Sequence, residues 1–322
     1  MSDFEFLRAY IEARNLAYAD FRLVKEVAEK IDRGVPRADM AEEERRTADL
    51  LWHLGLAVAS LERGLTYRPT RQLLHVAKGD VSLLAVRLAR WTPMRLLLRF
   101  LAEKGGEASL DEVEERLGGR LLGVTKRYLP ALRLAGLRRP VKKPYNRHVI
   151  EAVLLRLGSE TGLLKDDRKK MALTELAEEL LETESVEVVR TGPNSPVVLA
   201  AVAAAAASGN KVYLVSPWID REVAEALAHL LEGKAVVVSR PPGEKPHADA
   251  LALLAQRGEV LCYDKLHTKA VAGASAVVTS ANLVKTSLLR NIETGVYYRE
   301  TPTALRLHLE EVAASGRPCR SP

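Results

Sequence analysis

Lys265-Leu266-His267-Thr268-Lys269, followed by Ala270 to Thr279, then Ser280-Ala281-Asn282 and finally Asn291-Ile292-Glu293, is the stretch that decides how this chain is read. An extended backbone sends successive side chains to opposite sides, so His267 and Lys269 project from one face, side by side, toward one ligand. The apolar run Val271 to Val278 is interrupted at Gly273-Ala274-Ser275, which reads as a turn between two paired strands. The return strand delivers Ser280 and Asn282 to the same rim, and Glu293 arrives after a short excursion.

That set suits a phosphodiester. The anion needs positive charge and hydrogen-bond donors around its nonbridging oxygens, and Lys269, Ser280 and Asn282 supply both without a metal. His267 is then a nucleophile for phosphorus, provided a carboxylate holds its other ring nitrogen, and Glu293 is the candidate holder.

His267, Lys269, Ser280, Asn282 and Glu293 resemble the signature of the phospholipase D superfamily, which runs H-x-K, four residues, Asp, then G-S-x-N and a following acidic residue. Two positions depart from it: Ala274 stands where the signature has Asp, and Thr279 where it has Gly. We read the missing Asp as turn-forming and orienting, so its loss bears on activity and not on the fold. Thr279 narrows the turn, because it lacks glycine's tolerance for positive φ. The family mechanism uses two histidines, one attacking phosphorus and one protonating the leaving oxygen. This chain has one H-x-K; His53, His75, His148, His229, His247 and His308 are not followed by Lys two residues on. The resemblance to single-motif members therefore implies a homodimer with both copies of His267 in one cleft, a phosphohistidine intermediate, and no cofactor or metal.

Upstream, strands and helices alternate. Strands are expected at Val186 to Arg190, Lys211 to Ser216, Ala235 to Ser239 and Val260 to Tyr263, and helices at Pro196 to Ser208, Arg221 to Leu231 and His247 to Arg257. This order argues an α/β/α sandwich, and it is also the order of the phospholipase D family; the resemblance spans 185–316. Loops leaving strand ends build sites in such folds, so Thr191, Ser216 and Trp218 are expected to bind substrate, with core or rim packing as the alternative for Trp218. His247 reads as a surface histidine.

The 322 residues are 47% hydrophobic and 28% charged, the balance of a globular protein. No run reaches the ~20 apolar residues of a membrane span, and the N-terminus lacks a signal-peptide pattern, so the expectation is a cytoplasmic protein with no membrane contact. Cys262 and Cys319 suggest neither a disulfide framework nor a metal site. Glutamine occurs only at Gln72 and Gln256 amid abundant Arg, Glu and Leu, which leans toward a thermophile.

The formal net charge is +6, yet residues 81–150 alone carry +9. Charge clustered in this way points to a polyanion partner. Residues 1–36 read as a helical arm, for packing or dimerisation. Residues 37–80 read as a winged-helix-like unit: a helix from Ala41 to Leu54 ending at Gly55, then a hairpin, then a helix from Pro69. Residues 81–158 read as a second, basic one. Its helices are Pro93 to Lys104, one opened by the capping box Ser109-Leu110-Asp111-Glu112, and Leu121 to Ala135, bent or shortened by Pro130. Its wing is Leu137 to Tyr145. The two units echo one another as L-x-x-L-G-L…T-Y and L-x-x-A-G-L…P-Y. Lys126, Arg127, Arg133, Arg138, Arg139, Lys142 and Lys143 are expected to bind nucleic acid, with pure protein contact as the alternative. Residues 159–184 form a linker with a helix from Lys169 to Glu182, and 317–322 a tail.

The expected function is a metal-independent nuclease or phosphodiesterase acting on DNA, with RNA as the other polymer. A second expectation is a turnover-free nucleic-acid-binding protein that keeps the fold for dimerisation, and a third is a lipid phosphodiesterase.

Overall fold

The computed structural model describes residues 1–14, 21–61, 64–166, 170–181, 186–192, 195–231, 234–243 and 245–319. The chain divides into two compact units, Met1–Val124 with Val141–Thr183, and Thr125–Pro140 with Glu184–Pro322.

The first unit begins with helices α1 (Asp3–Ala13), α2 (Val24–Asp32) and α3 (Glu42–His53), a hairpin of β1 (Ala57–Ser60) and β2 (Thr66–Pro69), and helices α4 (Arg71–Ala77), α5 (Val81–Arg90) and α6 (Thr92–Glu103). Ser2 and Glu5 form a capping box that starts α1, and its buried face, including Phe4, Leu7 and Ile11, packs on α6. Trp91 gives α6 no side-chain cap; instead the buried carboxylate of Glu12 accepts from Thr92 N at 3.2 Å and from Arg8 Nε at 2.7 Å. A negative group thus stands where the helix exposes unpaired N–H groups. Packing is the role these described residues of the arm take.

Next come β3 (Glu107–Ser109), α7 (Leu110–Val113) with its capping box in place, a π-helical stretch, and α8 (Gly119–Arg127). The single helix expected over 121–135 is two. Tyr128 interrupts it, and α9 (Leu129–Leu134) restarts with Pro130 in its first turn, where the missing N–H costs nothing. Residues 125–140 then belong to the second unit, so the basic unit expected at 81–158 is divided. No strand forms between Leu137 and Tyr145, and the expected basic wing is irregular chain with a cis Lys143–Pro144 bond.

The echo that suggested repeated units has a local cause. Gly55 and Gly136 both take positive φ and follow a helix; Leu56 N bonds Leu51 O and Leu137 N bonds Leu132 O, the same helix-stop hydrogen bond. The first unit ends with α10 (Arg147–Val149), α11 (Arg156–Glu160), β4 (Leu164–Asp166), β5 (Lys170–Leu173) and α12 (Glu175–Glu179). The helix expected from Lys169 therefore begins as a strand, because β5 pairs with both β3 and β4.

The second unit contains β6 (Val186–Gly192), β7 (Ser195–Pro196), α13 (Val197–Ala206), β8 (Lys211–Val215), α14 (Arg221–Ala228), β9 (Lys234–Ser239), α15 (Lys245–Leu254) and β10 (Gly258–Cys262). It continues with β11 (Ala270–Ala272), β12 (Ala276–Thr279), α16 (Lys285–Leu289), β13 (Glu293–Tyr298), α17 (Thr303–Ala314) and β14 (Arg317–Pro318). Among the described residues these strands make one sheet in the order β14-β10-β9-β8-β11-β12-β13-β6-β7. β8, β9 and β10 are parallel, and β11 enters antiparallel beside β8. The Ala-rich helix α13, wholly buried, covers one face, its small side chains allowing close approach. Leu309 of α17 packs with Tyr213, Val215, Ala270 and Ala272, which alternation places on the other face. α9 packs on α13 and α14.

Contrary to the sequence expectation, Cys262 and Cys319 are bonded, across a separation of 57 residues. The pairing of β14 with β10 brings them together, a juxtaposition that spacing alone does not reveal. Bonded cysteines occur in oxidising compartments and in intracellular proteins of hyperthermophiles. Among the described residues no helix is long and apolar enough to cross a membrane.

Candidate active site

Register places the motif. Ala270 lies opposite Val215 of β8 and Val278 of β12, Thr279 opposite Gly295, and Glu293 opposite Thr191. The chain entering β11, the chain leaving β8 and β12, and the start of β13 therefore meet at one end of the sheet. Leu266, buried at 2% exposure, anchors the entering chain, and its carbonyl accepts from Arg240 Nε at 2.9 Å. His267, the next residue, is exposed.

His267 and Lys269 are side by side as their spacing predicts. Lys269 Nζ lies 3.5 Å from His267 Nδ1 and donates to His267 O at 3.0 Å. Glu293, the expected holder of the imidazole, lies close enough to Lys269 to act on its charge. Its carboxylate accepts from Ser280 Oγ, and from Asn291 Nδ2 at 3.3 Å; among the described residues it makes no hydrogen bond to His267. Ser280 Oγ also accepts from Thr294 N at 3.1 Å, so this hydroxyl ties β12 to β13. The Asn282 Oδ1 atom is buried and makes no hydrogen bond among the described residues; toward a phosphate this side chain would act through its amide N–H groups.

Burial pulls the Lys269 amine below the ordinary lysine pKa; Glu293 opposes this and Arg240 reinforces it. Arg240 was missed by the sequence reading, although its position at the C-terminal end of a parallel strand was the available signal. It is half-buried, its guanidinium lies 5.8 Å from the Trp218 ring centre, and no carboxylate pairs with it among the described residues.

Thr191 and Ser216, expected to bind substrate, are fully buried. Ser216 Oγ donates to Trp218 O at 2.8 Å and accepts from Leu283 N at 3.1 Å, which shapes the loop after β8, and Thr191 Oγ1 donates to Leu288 O at 3.4 Å, which ties β6 to α16. Trp218 is 39% exposed and open to a ligand. His247 is no surface residue: it is 4% exposed, with Nε2 3.1 Å from Arg240 O and Nδ1 accepting from Ile219 N at 3.3 Å.

Ala274 lies at the far end of the hairpin from His267, seven residues away and about 23 Å along an extended chain. The turn there is held by Ala274 N to Ser208 O at 2.9 Å and Thr301 Oγ1 to Gly273 O at 2.8 Å.

Of the expected nucleic-acid contacts, Lys126, Arg127, Arg133, Arg138 and Arg139 are exposed, all in the segment that joins the second unit. Lys142 and Lys143 are half-buried. Lys143 Nζ donates to Arg14 O at 3.0 Å, and burial lowers its pKa. Among the described residues no three His, Cys, Asp or Glu side chains are grouped as metal ligands.

No family model matches the chain, and no curated protein matches it. Among solved structures, the chain is similar to Nuc, a phospholipase D family member from Salmonella typhimurium, at 18% identity and a TM-score of 0.36, over 42% of this chain and 99% of that one. It is similar to NucT from Helicobacter pylori at 12% identity and a TM-score of 0.35, over 41% and 99%. It is also similar to TrmBL2, an archaeal chromatin protein with a novel mode of DNA binding, at 15% identity and a TM-score of 0.30, over 91% of each chain.

Proposed function

We propose that the second unit is a phosphodiesterase of the phospholipase D type, acting on nucleic acid, DNA in the first place, as a homodimer. The observation that carries this reading is an exposed imidazole beside Lys269, with Arg240 close enough to act on that amine, and neither cation forms an ion pair among the described residues. Like charges held together at partial burial favour an anion between them.

In the proposed cycle, Nε2 of His267 attacks phosphorus while Lys269, Arg240, Ser280 and Asn282 hold the nonbridging oxygens. The bond from phosphorus to the leaving oxygen breaks, and that oxygen takes a proton from the partner subunit's His267. Water then attacks the phosphohistidine, gives a proton to the partner subunit's His267, and displaces His267. Nδ1 must carry its proton for Nε2 to have a free lone pair. An ammonium aimed at Nδ1 favours the opposite tautomer, so the arriving phosphate has to draw Lys269 off the ring and leave Nδ1–H to Glu293.

Purified protein in EDTA is expected to cleave labelled DNA, with single- and double-stranded DNA and RNA compared, and His267→Ala is expected to be inactive. Intact nucleic acid alongside cleaved phosphatidylcholine overturns the reading. Binding without turnover is the second reading, and the engagement of Glu293 with Ser280 favours it. A phosphohistidine trapped on His267 discards it; tight DNA binding with no cleavage in EDTA or magnesium supports it.

A further inference from the structure

Resting on the nucleic-acid reading of this site, we infer that Trp218 and Arg240 form a base-stacking platform beside His267, which makes single-stranded nucleic acid the substrate form. Three observations converge. Trp218 follows Ser216-Pro217 on the loop leaving β8, and it keeps 39% of its surface in solvent although both of its loop anchors are buried. Those anchors are Ser216, and Ile219, whose N–H donates to His247 Nδ1 at 3.3 Å. The ring is also oriented from two directions: Arg240 lies over it at 5.8 Å, and the His247 ring meets it at 65° and 5.3 Å. Arg240, in turn, is tied through Nε to the carbonyl immediately before His267.

The buried His247 ties the two loops to one another. Its ring links the loop after β8, through Ile219, to the loop after β9, through Ser239 Oγ at 3.4 Å and Arg240 O at 3.1 Å. A large aromatic surface left open and adjacent to a guanidinium that no carboxylate neutralises among the described residues is what a flat π-system next to a phosphate requires. A lipid diester offers no such plane. Bases inside a duplex keep their faces stacked on one another, so only an unpaired strand presents one.

Trp52 and Trp91 are 5% and 3% exposed, so Trp218 is the tryptophan open to an added quencher. Titrating the full chain with a single-stranded oligothymidylate is expected to quench that fluorescence, whereas an abasic deoxyribose-phosphate chain of equal length is not. Trp218→Ala is expected to weaken oligothymidylate binding about 5- to 100-fold with no change for the abasic chain, and Trp218→Phe to restore most of it. Arg240→Gln is expected to weaken both ligands alike and to lower the salt slope by about one. Equal affinity for the two ligands, or a duplex that quenches as well as the single strand, overturns the platform. Turnover is read separately with bis(p-nitrophenyl) phosphate and the His267→Ala control. Its absence overturns the phosphodiesterase reading and leaves the fluorescence result to decide the platform.

Discussion

Lys269 is the residue whose chemistry differs most from what its type alone implies. Burial, then the repulsion of Arg240 against the pull of Glu293, keeps its pKa below that of a free lysine. The amine therefore loses its charge at a lower pH than usual, and anion binding falls on an alkaline limb set below the ordinary value of about 10.4. Arg240→Gln removes a like charge, so the Lys269 pKa rises and the limb moves to higher pH. Oligonucleotide affinity measured across pH 7 to 11 checks this; a limb unmoved by the substitution contradicts the proximity argument. The spacing of His267 and Lys269 was legible because period-2 alternation is a local property of extended chain. The partner of Glu293 was not, since it depends on which of two polar groups the neighbouring strand brings closer.

Two element-scale contacts carry separable predictions. Glu12 joins α1 to the start of α6, and burial, the largest influence on its pKa, acts to raise it but is outweighed by Arg8, His53 and the hydrogen bond from Thr92. Its folded pKa is thus depressed, so its contribution is present above the unfolded value and lost as pH falls through the folded one. Glu12→Ala is expected to cost about 3–5 kcal/mol in urea unfolding at neutral pH. Wild type should lose more stability than Glu12→Gln on acidification from pH 7 to 3, and parallel losses exclude the linkage. The Cys262–Cys319 bond closes a loop spanning 57 residues, for which chain entropy gives about 4 kcal/mol. Reductant or Cys319→Ser is expected to lower the denaturation midpoint of the second unit; an unchanged midpoint refutes a stabilising role. Helix starts at Pro93 and Ser109 were readable, to within a residue, because a capping box and an N-terminal proline act within four residues. The π-helical stretches and the β3-β5-β4 sheet were not, as they answer to packing partners far along the chain.

At the scale of the whole molecule, the proposed dimer predicts how activity responds to dilution with dead subunits. If both copies of His267 serve one phosphorus, a hybrid of wild type and His267→Asn has no working centre. Co-refolded mixtures should then follow the square of the wild-type fraction, about a quarter of full activity at equal proportions. A linear fall means each chain works alone. Light scattering on the wild type supplies the companion measurement, and a monomer at assay concentration removes the shared centre.

The sequence by itself determined the α/β character of the second unit, the turn at Gly273 to Ser275, the helix stops at Gly55 and Gly136, and the pairing of His267 with Lys269. Each is fixed by residues within a few positions of one another, where backbone geometry and capping leave little choice. Only the tertiary structure decided that Arg240 lies over Trp218 and bonds the carbonyl just before His267, that His247 is buried, that Cys262 meets Cys319, and that residues 125–140 leave the first unit. Those outcomes depend on which distant strand ends a shared sheet brings to one edge, and on where a broken helix finds an apolar face to cover.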